Sequence, residues 1–220
     1  MISRLPRWAW FGAWALAFIA GMVNVVGLLG FEHQAVTHLT GTTSMLGAAI
    51  AGMDGALALH LGAIIGAFVL GTILSGFIIQ DSTLQLGRRY GVALLLETVL
   101  LCLAVPLLQR HNVFGDYFAS CACGLQNAMV STFSGAVVRT THLSGMFTDI
   151  GIAIGHAMRG IPMDRRRVRL YALIISAFFA GGILGAIAFE FLGYGTLFIP
   201  AALTGVTSFS YGIYRMSRAR

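Results

Sequence analysis

Two polar blocks of similar sequence interrupt an otherwise apolar chain and contain most of its candidate binding groups. The first reads THLTG at residues 37–41 and the second THLSG at residues 141–145. Each precedes a short apolar segment, residues 42–52 or 146–158, that would rise only about 16–20 Å as a helix. Glycine suits a turn and hydroxyls suit an N-cap, so both blocks predict the start of a short helix. The free N–H groups at such a start favour an anionic or polar ligand.

The candidate substrate-binding residues are polar side chains in and next to these blocks. If both short helices begin in the middle of a membrane, one solute would contact residues from both. The candidates are Asn24, Thr40, Thr42, Thr43, Asn127, Ser144, Thr148 and Asp149. Asn24 and Asn127 occupy matching positions upstream of the blocks, and hydrogen bonding between helices is an alternative role for them. Alternatively, the two short segments are merely short helices packed in a bundle.

Ionisable side chains inside a membrane are costly, which makes them candidates for proton or ion coupling. The candidates are Glu97, Asp149, Arg139, His38 and His142. Glu97 lies inside an apolar run and is either a proton-carrying carboxylate or a buried partner for an arginine. Arg139 either pairs with Asp149 or anchors the chain on the cytoplasmic side. The two histidines either relay protons or are ordinary loop residues.

The composition indicates the environment that must hold these residues. Of the 220 residues, 57% are hydrophobic and 10% are charged, and the mean hydropathy is +0.83. A soluble domain carries about 25% charged residues, so the composition excludes an ordinary soluble enzyme, a disordered chain and a nucleic-acid-binding domain. The net charge of +6 comes from fourteen basic residues, all of them arginine. Scattered between apolar runs, these arginines fit orientation in a membrane better than binding to nucleic acid.

Six apolar segments are long enough to cross a bilayer, which takes about 20 residues. They are residues 8–29, 56–79, 90–108, 114–136, 169–191 and 194–214. The first is too long for a signal peptide and is interpreted as a retained transmembrane helix. With the two short segments, the pattern predicts an all-α polytopic membrane protein that has six transmembrane helices plus two short re-entrant or broken helices.

Three matched blocks predict an internal duplication. Besides THLTG and THLSG, the pairs are GMVN at 21–24 with GLQN at 124–127, and GAFVLG at 66–71 with SAFFAG at 176–181. The blocks keep the same order, with offsets of 103, 104 and 110 residues. We therefore expect a single membrane domain over residues 1–220, built from repeat one at 1–112 and repeat two at 113–220.

The positions of the arginines favour re-entry of the short segments. If all eight segments spanned the membrane, Arg88, Arg89 and Arg139 would lie outside, whereas re-entry of the two short ones leaves only Arg110 outside. Cytoplasmic loops are rich in arginine, so re-entry is preferred. It places both termini in the cytoplasm, for a protein of the bacterial inner membrane, and gives the repeats opposite orientations. Many transporters and channels have this inverted-repeat plan.

Pairs of glycines four residues apart predict close helix contacts. The pairs are Gly62 and Gly66, Gly151 and Gly155, and Gly181 and Gly185. Packing within the chain is the first interpretation, and a homodimer seam is the alternative. Cys102, Cys121 and Cys123 are expected to be buried free thiols. Neither a metal site nor a cofactor is expected.

The same blocks resemble the YoaK-like family of bacterial membrane proteins, whose function is largely unknown. The resemblance rests on AGMVN at 20–24, GLQN at 124–127, the blocks that follow them and TDIG at 148–151, and it covers nearly the whole chain. It implies a six-span integral membrane protein with a transporter role and no established substrate. Relatives commonly carry Asp at the position of Asn24 and Asn at that of Thr42. If that acid binds a cation or proton, this chain lacks the step.

The function predicted from these features is transport of a small anionic or polar solute. The solute would bind near the midplane, at the N-termini of the two short helices. The expected partners are the lipid bilayer, a small solute and, alternatively, a second copy of the chain. A passive channel of the same architecture, or a non-transporting scaffold or regulator, is the alternative. An enzyme is not expected, because no Gly-x-Ser-x-Gly, His-Glu-x-x-His or paired Asp motif occurs.

Overall fold

The computed structural model describes residues 7–30, 33, 36–79, 88–134 and 139–218. These residues form helices and no strand: α1 (Arg7–Leu29), α2 (Leu39–Ala51), α3 (Gly55–Ile79), α4 (Arg88–Gln109), α5 (Phe114–Ser134), α6 (Leu143–Met158), α7 (Arg165–Leu192), a 3-10 helix (Gly193–Leu197) and α8 (Phe198–Arg218). For the described residues the predicted all-α class is confirmed. The two short segments are helices that begin three residues earlier than predicted, at Leu39 and Leu143.

Four stretches of the described chain are long and apolar enough to cross a membrane, which identifies a membrane protein. They are residues 8–29, 55–79, 89–109 and 165–210. The last stretch holds both α7 and α8, which the 3-10 helix separates. α5 is not among these stretches: its polar residues Asp116, Ser120 and Gln126 lower its hydropathy, and all three are buried. A helix that is surrounded by other helices does not need a uniformly apolar surface.

α1 and α7 run parallel along their whole length. At their starts, the guanidinium of Arg166 lies 5.8 Å from the ring centroid of Trp10. At their ends, Gly30 packs against the ring of Tyr194 in the 3-10 helix. Because α1 belongs to the first half of the sequence and α7 to the second, this pair joins the two halves.

α3 and α5 form a second parallel pair that also joins the two halves. Near their starts, the Nδ1 atom of His60 lies 3.0 Å from the hydroxyl of Tyr117. Further along, the backbone of Phe68 packs on Gly124. By the matched blocks, α1 corresponds to α5 and α7 to α3. The α1–α7 pair and the α3–α5 pair are therefore equivalent contacts between the two halves.

Both pairs are in backbone contact at glycines, and we call these contacts the glycine seams. An added Cβ would overlap a carbonyl in four places: Gly21 on Phe178, Gly181 on Phe18, Gly124 on Phe68 and Gly71 on Cys121. The matched blocks of the sequence pair Gly21 with Gly124, Phe68 with Phe178 and Gly71 with Gly181. The two seams therefore have the same geometry at corresponding residues. Small residues let helices approach closely enough for van der Waals contact and Cα–H···O bonds.

The predicted glycine pairs are only partly in close contact. Gly181 and Gly185 both pack on α1. At Gly62, Gly66, Gly151 and Gly155, an added Cβ would meet no described atom within 4 Å. The prediction of close packing within the chain is wrong at these four positions, because α3 and α6 pack on their neighbours with other faces. A homodimer seam there stays a prediction.

Contacts between helix ends define one face of the bundle, here called the arginine face. The ring of Phe133 at the end of α5 lies 5.4 Å from Trp8 of α1 and 5.9 Å from Tyr90 of α4. In the middle of α8, the hydroxyl of Ser208 donates to the carbonyl of Gly91, near the start of α4, at 2.7 Å. The described arginines near this face are Arg89, Arg139, Arg159, Arg165, Arg166, Arg167 and Arg169. Since α1 starts where α5 ends, these two matched helices run in opposite directions.

The opposite face holds the ends of α1, α4 and α7 and the starts of α3, α5 and α8. Gly115 at the start of α5 packs on Leu108 at the end of α4. α4 also pairs with α8, with 2.9 Å between the hydroxyls of Thr98 and Thr204. The two short helices lie apart: α2 packs on α3 and connects to it at the opposite face, and α6 packs on α7 and connects to it at the arginine face.

Candidate functional site

α2 and α6 begin in the same way, with a histidine at the N-cap and a glycine three residues later. The N-caps are His38 and His142, and neither side chain caps its helix by a hydrogen bond. Instead, each ring lies against the first-turn glycine, Gly41 or Gly145. The predicted hydroxyl caps are therefore wrong, because the helices begin early enough to place the Thr/Ser-Gly residues inside the first turn.

Three of the hydroxyl groups predicted to bind solute donate to the backbone of their own helices. Thr42, Thr43 and Thr148 each donate to the carbonyl four residues earlier, at 3.2, 2.8 and 3.0 Å. Thr42 is buried, whereas Thr40 and Ser144 are exposed. These donors are thus already used, and only their acceptor capacity is left for a ligand.

In the first half, the segment before α2 is fixed by internal hydrogen bonds. The Oδ1 atom of Asn24 accepts from the hydroxyl of Thr37 at 2.5 Å and from its backbone N–H at 3.3 Å. The hydroxyl of Ser120 on α5 lies 3.0 Å from the carbonyl of Ile64 and 3.4 Å from that of Val36. Asn24 therefore has the alternative role considered for it, since it ties α1 to the segment before α2.

In the second half, Asn127 matches Asn24, and Thr140 precedes Thr141, which is the residue that matches Thr37. The Oδ1 atom of Asn127 and the hydroxyl of Thr140 are buried and have no hydrogen-bond partner among the residues that the structure describes. Thr140 is fully buried. A buried polar group without a partner costs free energy unless water or a ligand supplies one. Each of these two oxygens could therefore accept a hydrogen bond from water or a ligand.

A cavity of about 310 Å³ lies beside the first turns of α6, at the arginine face. It is lined by Arg139, His142, Gly145, Met146, Asp149, Arg167 and Tyr171. The Nη2 atom of Arg167 donates to Oδ2 of Asp149 at 2.8 Å, and its Nε donates to the hydroxyl of Tyr171 at 2.9 Å. The predicted Arg139–Asp149 pair is replaced by this Arg167–Asp149 pair, although Arg139 lines the same cavity. We call this cavity the cationic cavity.

The cationic cavity has the chemistry of an anion site. Two guanidinium groups face one carboxylate, which leaves a net positive charge, and the N-terminus of α6 adds its partial positive charge. Arginine suits this role because its planar fork binds a carboxylate or phosphate through two donors. Sequence reasoning missed Arg167 and Tyr171. The sequence did carry one signal for Arg167. Asp164 is the N-cap of α7 and accepts from the N–H groups of Arg166 and Arg167, so it fixes the position of the arginine run at the start of that helix.

The two groups of predicted substrate contacts do not converge. Asp149 lies in the cationic cavity, next to Ser144 and Thr148 on the same helix, whereas Asn24, Thr42 and Thr43 belong to the packing of α1 and α2. Among the described helices, α2 and α6 have no packing contact with each other. The expectation that the two short helices meet is therefore wrong for this arrangement, because each docks on a different long helix.

Glu97 lies in the middle of α4 and is buried, with 2% of its surface exposed. The Nε2 atom of Gln126 on α5 donates to its Oε1 atom at 2.9 Å, and its Oε2 atom has no hydrogen-bond partner among the described residues. Its partner is thus an amide and not an arginine. In the described part of the chain, no cluster of three His, Cys, Asp or Glu side chains could hold a metal ion.

Comparison with known families identifies one match. A family model described as "Protein of unknown function (DUF1275)" matches residues 12–210. The match does not carry the YoaK-like name, so that part of the resemblance stays a prediction. No curated protein and no solved structure matches the chain. The site must therefore be interpreted from its own geometry.

Proposed function

The chain belongs to the DUF1275 family, whose function is unknown, and we propose that it is a membrane transporter for a small anionic or polar solute. The observation that carries this proposal is the cationic cavity, where Arg139 and Arg167 lie beside the N-terminus of α6. No chemical change of the solute is part of the proposal. Its partners are the lipid bilayer and the solute.

The proposed topology has six spanning helices, α1, α3, α4, α5, α7 and α8, and two re-entrant helices, α2 and α6. Support comes from the path of the chain around α2. The chain reaches the opposite face at Gly30, returns to Thr37 at the level of Asn24, and regains that face at Asp54. A segment that leaves and regains one face is re-entrant, and interrupted helices of this kind mark binding sites in transporters.

The orientation follows from the arginine face. Because cytoplasmic loops are enriched in arginine, this face is assigned to the cytoplasm, which places both termini there, in a bacterial inner membrane. The proposed plan is two inverted repeats. It is supported by the opposite directions of α1 and α5 and by the glycine seams at matched residues.

The first experiment identifies an anion that binds. Purified protein in detergent is screened by thermal shift against small carboxylates, inorganic phosphate and sulfate, with neutral polyols as the reference. A ligand at about 100 times its Kd stabilises the folded state by about 2.7 kcal/mol. Arg167→Gln should abolish the shift. Arg169→Gln is the matched control, because this exposed arginine of the same helix does not line the cationic cavity.

Uptake of the stabilising anion into proteoliposomes then tests transport. Asp149→Asn removes the partner that orients Arg167, and Gly145→Leu drives a side chain into the ring of His142. Both should lower uptake at least about tenfold, which corresponds to about 1.4 kcal/mol. Unchanged flux in both variants would show that the proposed site is wrong.

The kinetics separate the alternatives. Saturation and counter-transport are expected for a carrier, whereas flux that rises linearly without counter-transport indicates a passive channel of the same architecture. Binding without any flux would indicate a non-transporting regulator.

A further inference from the structure

The α4–α5 contact is sealed toward the opposite face. Leu101, Ala104 and Leu108 of α4 are buried against α5, and Gly115 of α5 leaves room for the side chain of Leu108. The bond between Glu97 and Gln126 closes the inner end of this contact. From Glu97 to Leu108, the side of α4 that faces α5 is buried.

The corresponding contact in the other half would join α8 to α1, because α4 corresponds to α8 and α5 to α1. Here the two helices hardly touch. An apolar cleft of about 370 Å³ lies between them, next to the arginine face. Gly12 of α1 and Thr207 of α8 line it, with Tyr90 and Leu94 of α4 and Phe133 of α5.

The structure is thus closed near one face and open near the other, at equivalent places in the two halves. The glycine seams are the same in both halves. The difference between the closed and the open contact therefore comes from the position of the α4–α8 pair. If this pair swung from α5 to α1, the cleft would close and the α4–α5 contact would open. The result would be the present arrangement with the roles of the two halves exchanged, as the pseudo-two-fold axis between inverted repeats relates them. Inverted repeats give alternating access in this way.

Glu97 lies at the pivot of such a movement. Leu94, one turn before it, lines the open cleft, and Leu101, one turn after it, lies in the sealed contact. The elements packed against α4 carry few titratable groups: Asp116, Tyr117, Cys121 and Cys123 on α5, His60 on α3 and Tyr194 in the 3-10 helix. Among them, the thiol of Cys123 interacts with Glu97, whereas His60 contacts Tyr117 and Tyr194 packs at Gly30. In α8, residues 198–210 contain no charged side chain.

We propose that Glu97 is a proton-binding site, occupied while the α4–α5 contact is sealed and emptied when the α4–α8 pair moves onto α1. In the sealed contact, a carboxylate would be desolvated and without a cation among the described residues, so the carboxylic acid is favoured. When α4 leaves α5, the O–H bond breaks, the proton goes to water and the carboxylate is hydrated. This inference rests on the proposed transport function, for which it supplies the driving ion.

The test measures closure of the cleft without any solute. Gly12→Cys and Thr207→Cys are combined, and a photoactivated cross-linker is attached to the thiols at one fixed pH; illumination at the chosen pH then joins α8 to α1 when they are close, whatever the ionisation of thiols. Raising the pH from about 5 to about 9 empties carboxylates, so the cross-linked fraction should rise at least about threefold. Single-cysteine variants control for the three native cysteines.

Variants of Glu97 decide the assignment. Glu97→Gln carries a permanently neutral group, so its cross-linked fraction should stay at the low-pH level at every pH. Glu97→Asp keeps a carboxyl group and should restore the pH response, which shows that the cysteine pair reports on a folded protein. Glu190→Gln, at an exposed carboxylate of α7, is the matched control and should behave like the parent.

The outcomes separate the two proposals. The proton site is overturned if the cross-linked fraction is constant with pH. It is also overturned if the pH response survives in Glu97→Gln. Both conclusions hold whatever the uptake assay gives. A pH response that requires the carboxyl group supports the site even if no anion is transported, in which case the solute assignment alone fails.

Discussion

The approaches to α2 and α6 have matching sequences but differ in how their polar groups are satisfied. Before α2, the side chain of Asn24 accepts two hydrogen bonds from Thr37. Before α6, the oxygens of Asn127 and Thr140 have no such partner among the described residues, and a cavity opens beside the helix. The first half therefore uses its asparagine to hold the chain, whereas in the second half the matched oxygen has no partner among the described residues.

This difference explains why likeness between repeats is a poor guide to shared function. The features that both halves need for folding, the glycine seams and the histidine N-caps, are present twice. The charged groups of the cationic cavity are present once, because α7 begins with an arginine run and α3 begins with Gly55. The proposed anion site therefore lies in the second half alone.

The largest expected effect tests whether the two halves are equal in their packing. Gly21→Ala and Gly124→Ala each place a Cβ against a backbone carbonyl that cannot move aside. Each should lower the free energy of unfolding by about 3 kcal/mol, measured by chemical denaturation in detergent.

Gly151→Ala is the control for these two variants, because open space surrounds this position. It should be neutral or stabilising by about 0.5–1 kcal/mol, since alanine is the better helix former. A marked difference between Gly21→Ala and Gly124→Ala would show that the two glycine seams are not equivalent.

The next effect sharpens the contrast between the two asparagines. Asn24→Ala removes an acceptor from both groups of Thr37 and should lower the free energy of unfolding by about 2 kcal/mol. Asn127→Ala removes an oxygen that has no described partner and should change stability by less than about 0.5 kcal/mol. Neither residue lines the cationic cavity, so in the thermal-shift screen both variants should keep the shift that an anion produces. Equal losses of stability in Asn24→Ala and Asn127→Ala would show that the two asparagines have the same structural role.

The smallest expected effect concerns the ion pair in the cationic cavity. The side chains of Arg167 and Asp149 are 50% and 38% exposed, so solvent weakens their attraction. Asp149→Asn should lower the free energy of unfolding by about 0.5 kcal/mol or less, even though its effect on uptake is large. A loss of stability much above this value would mean that the pair is structural.

Much of the fold could be predicted because lipid and water impose simple rules on sequence. The long apolar segments coincide with the long helices to within a few residues, for example 56–79 with Gly55–Ile79. The apolar segment at 194–214 was predicted less well. Residues 193–197 form a 3-10 helix before α8 begins at Phe198, and hydropathy alone does not separate a buried turn from a helix.

The site could be predicted only in part, because partners in space are not visible in hydropathy. Asp149 and Arg139 stand out as charges in or next to an apolar segment, and both line the cationic cavity. Arg167 lies in a run of similar arginines, and nothing local distinguishes it until α7 docks on α6. Asn24 has the composition of a ligand-binding residue, but the fold uses it internally.

The glycine seams have a consequence for the history of the chain. Each seam joins a helix from before residue 112 to a helix from after it, so neither half contains a complete seam of its own. A polypeptide of one repeat could satisfy both seams only by pairing with a second copy inserted upside down in the same membrane. In the proposed duplication, fusion of two such genes would fix the antiparallel pair in one chain. Each copy could then diverge, and arginines could accumulate in one copy alone.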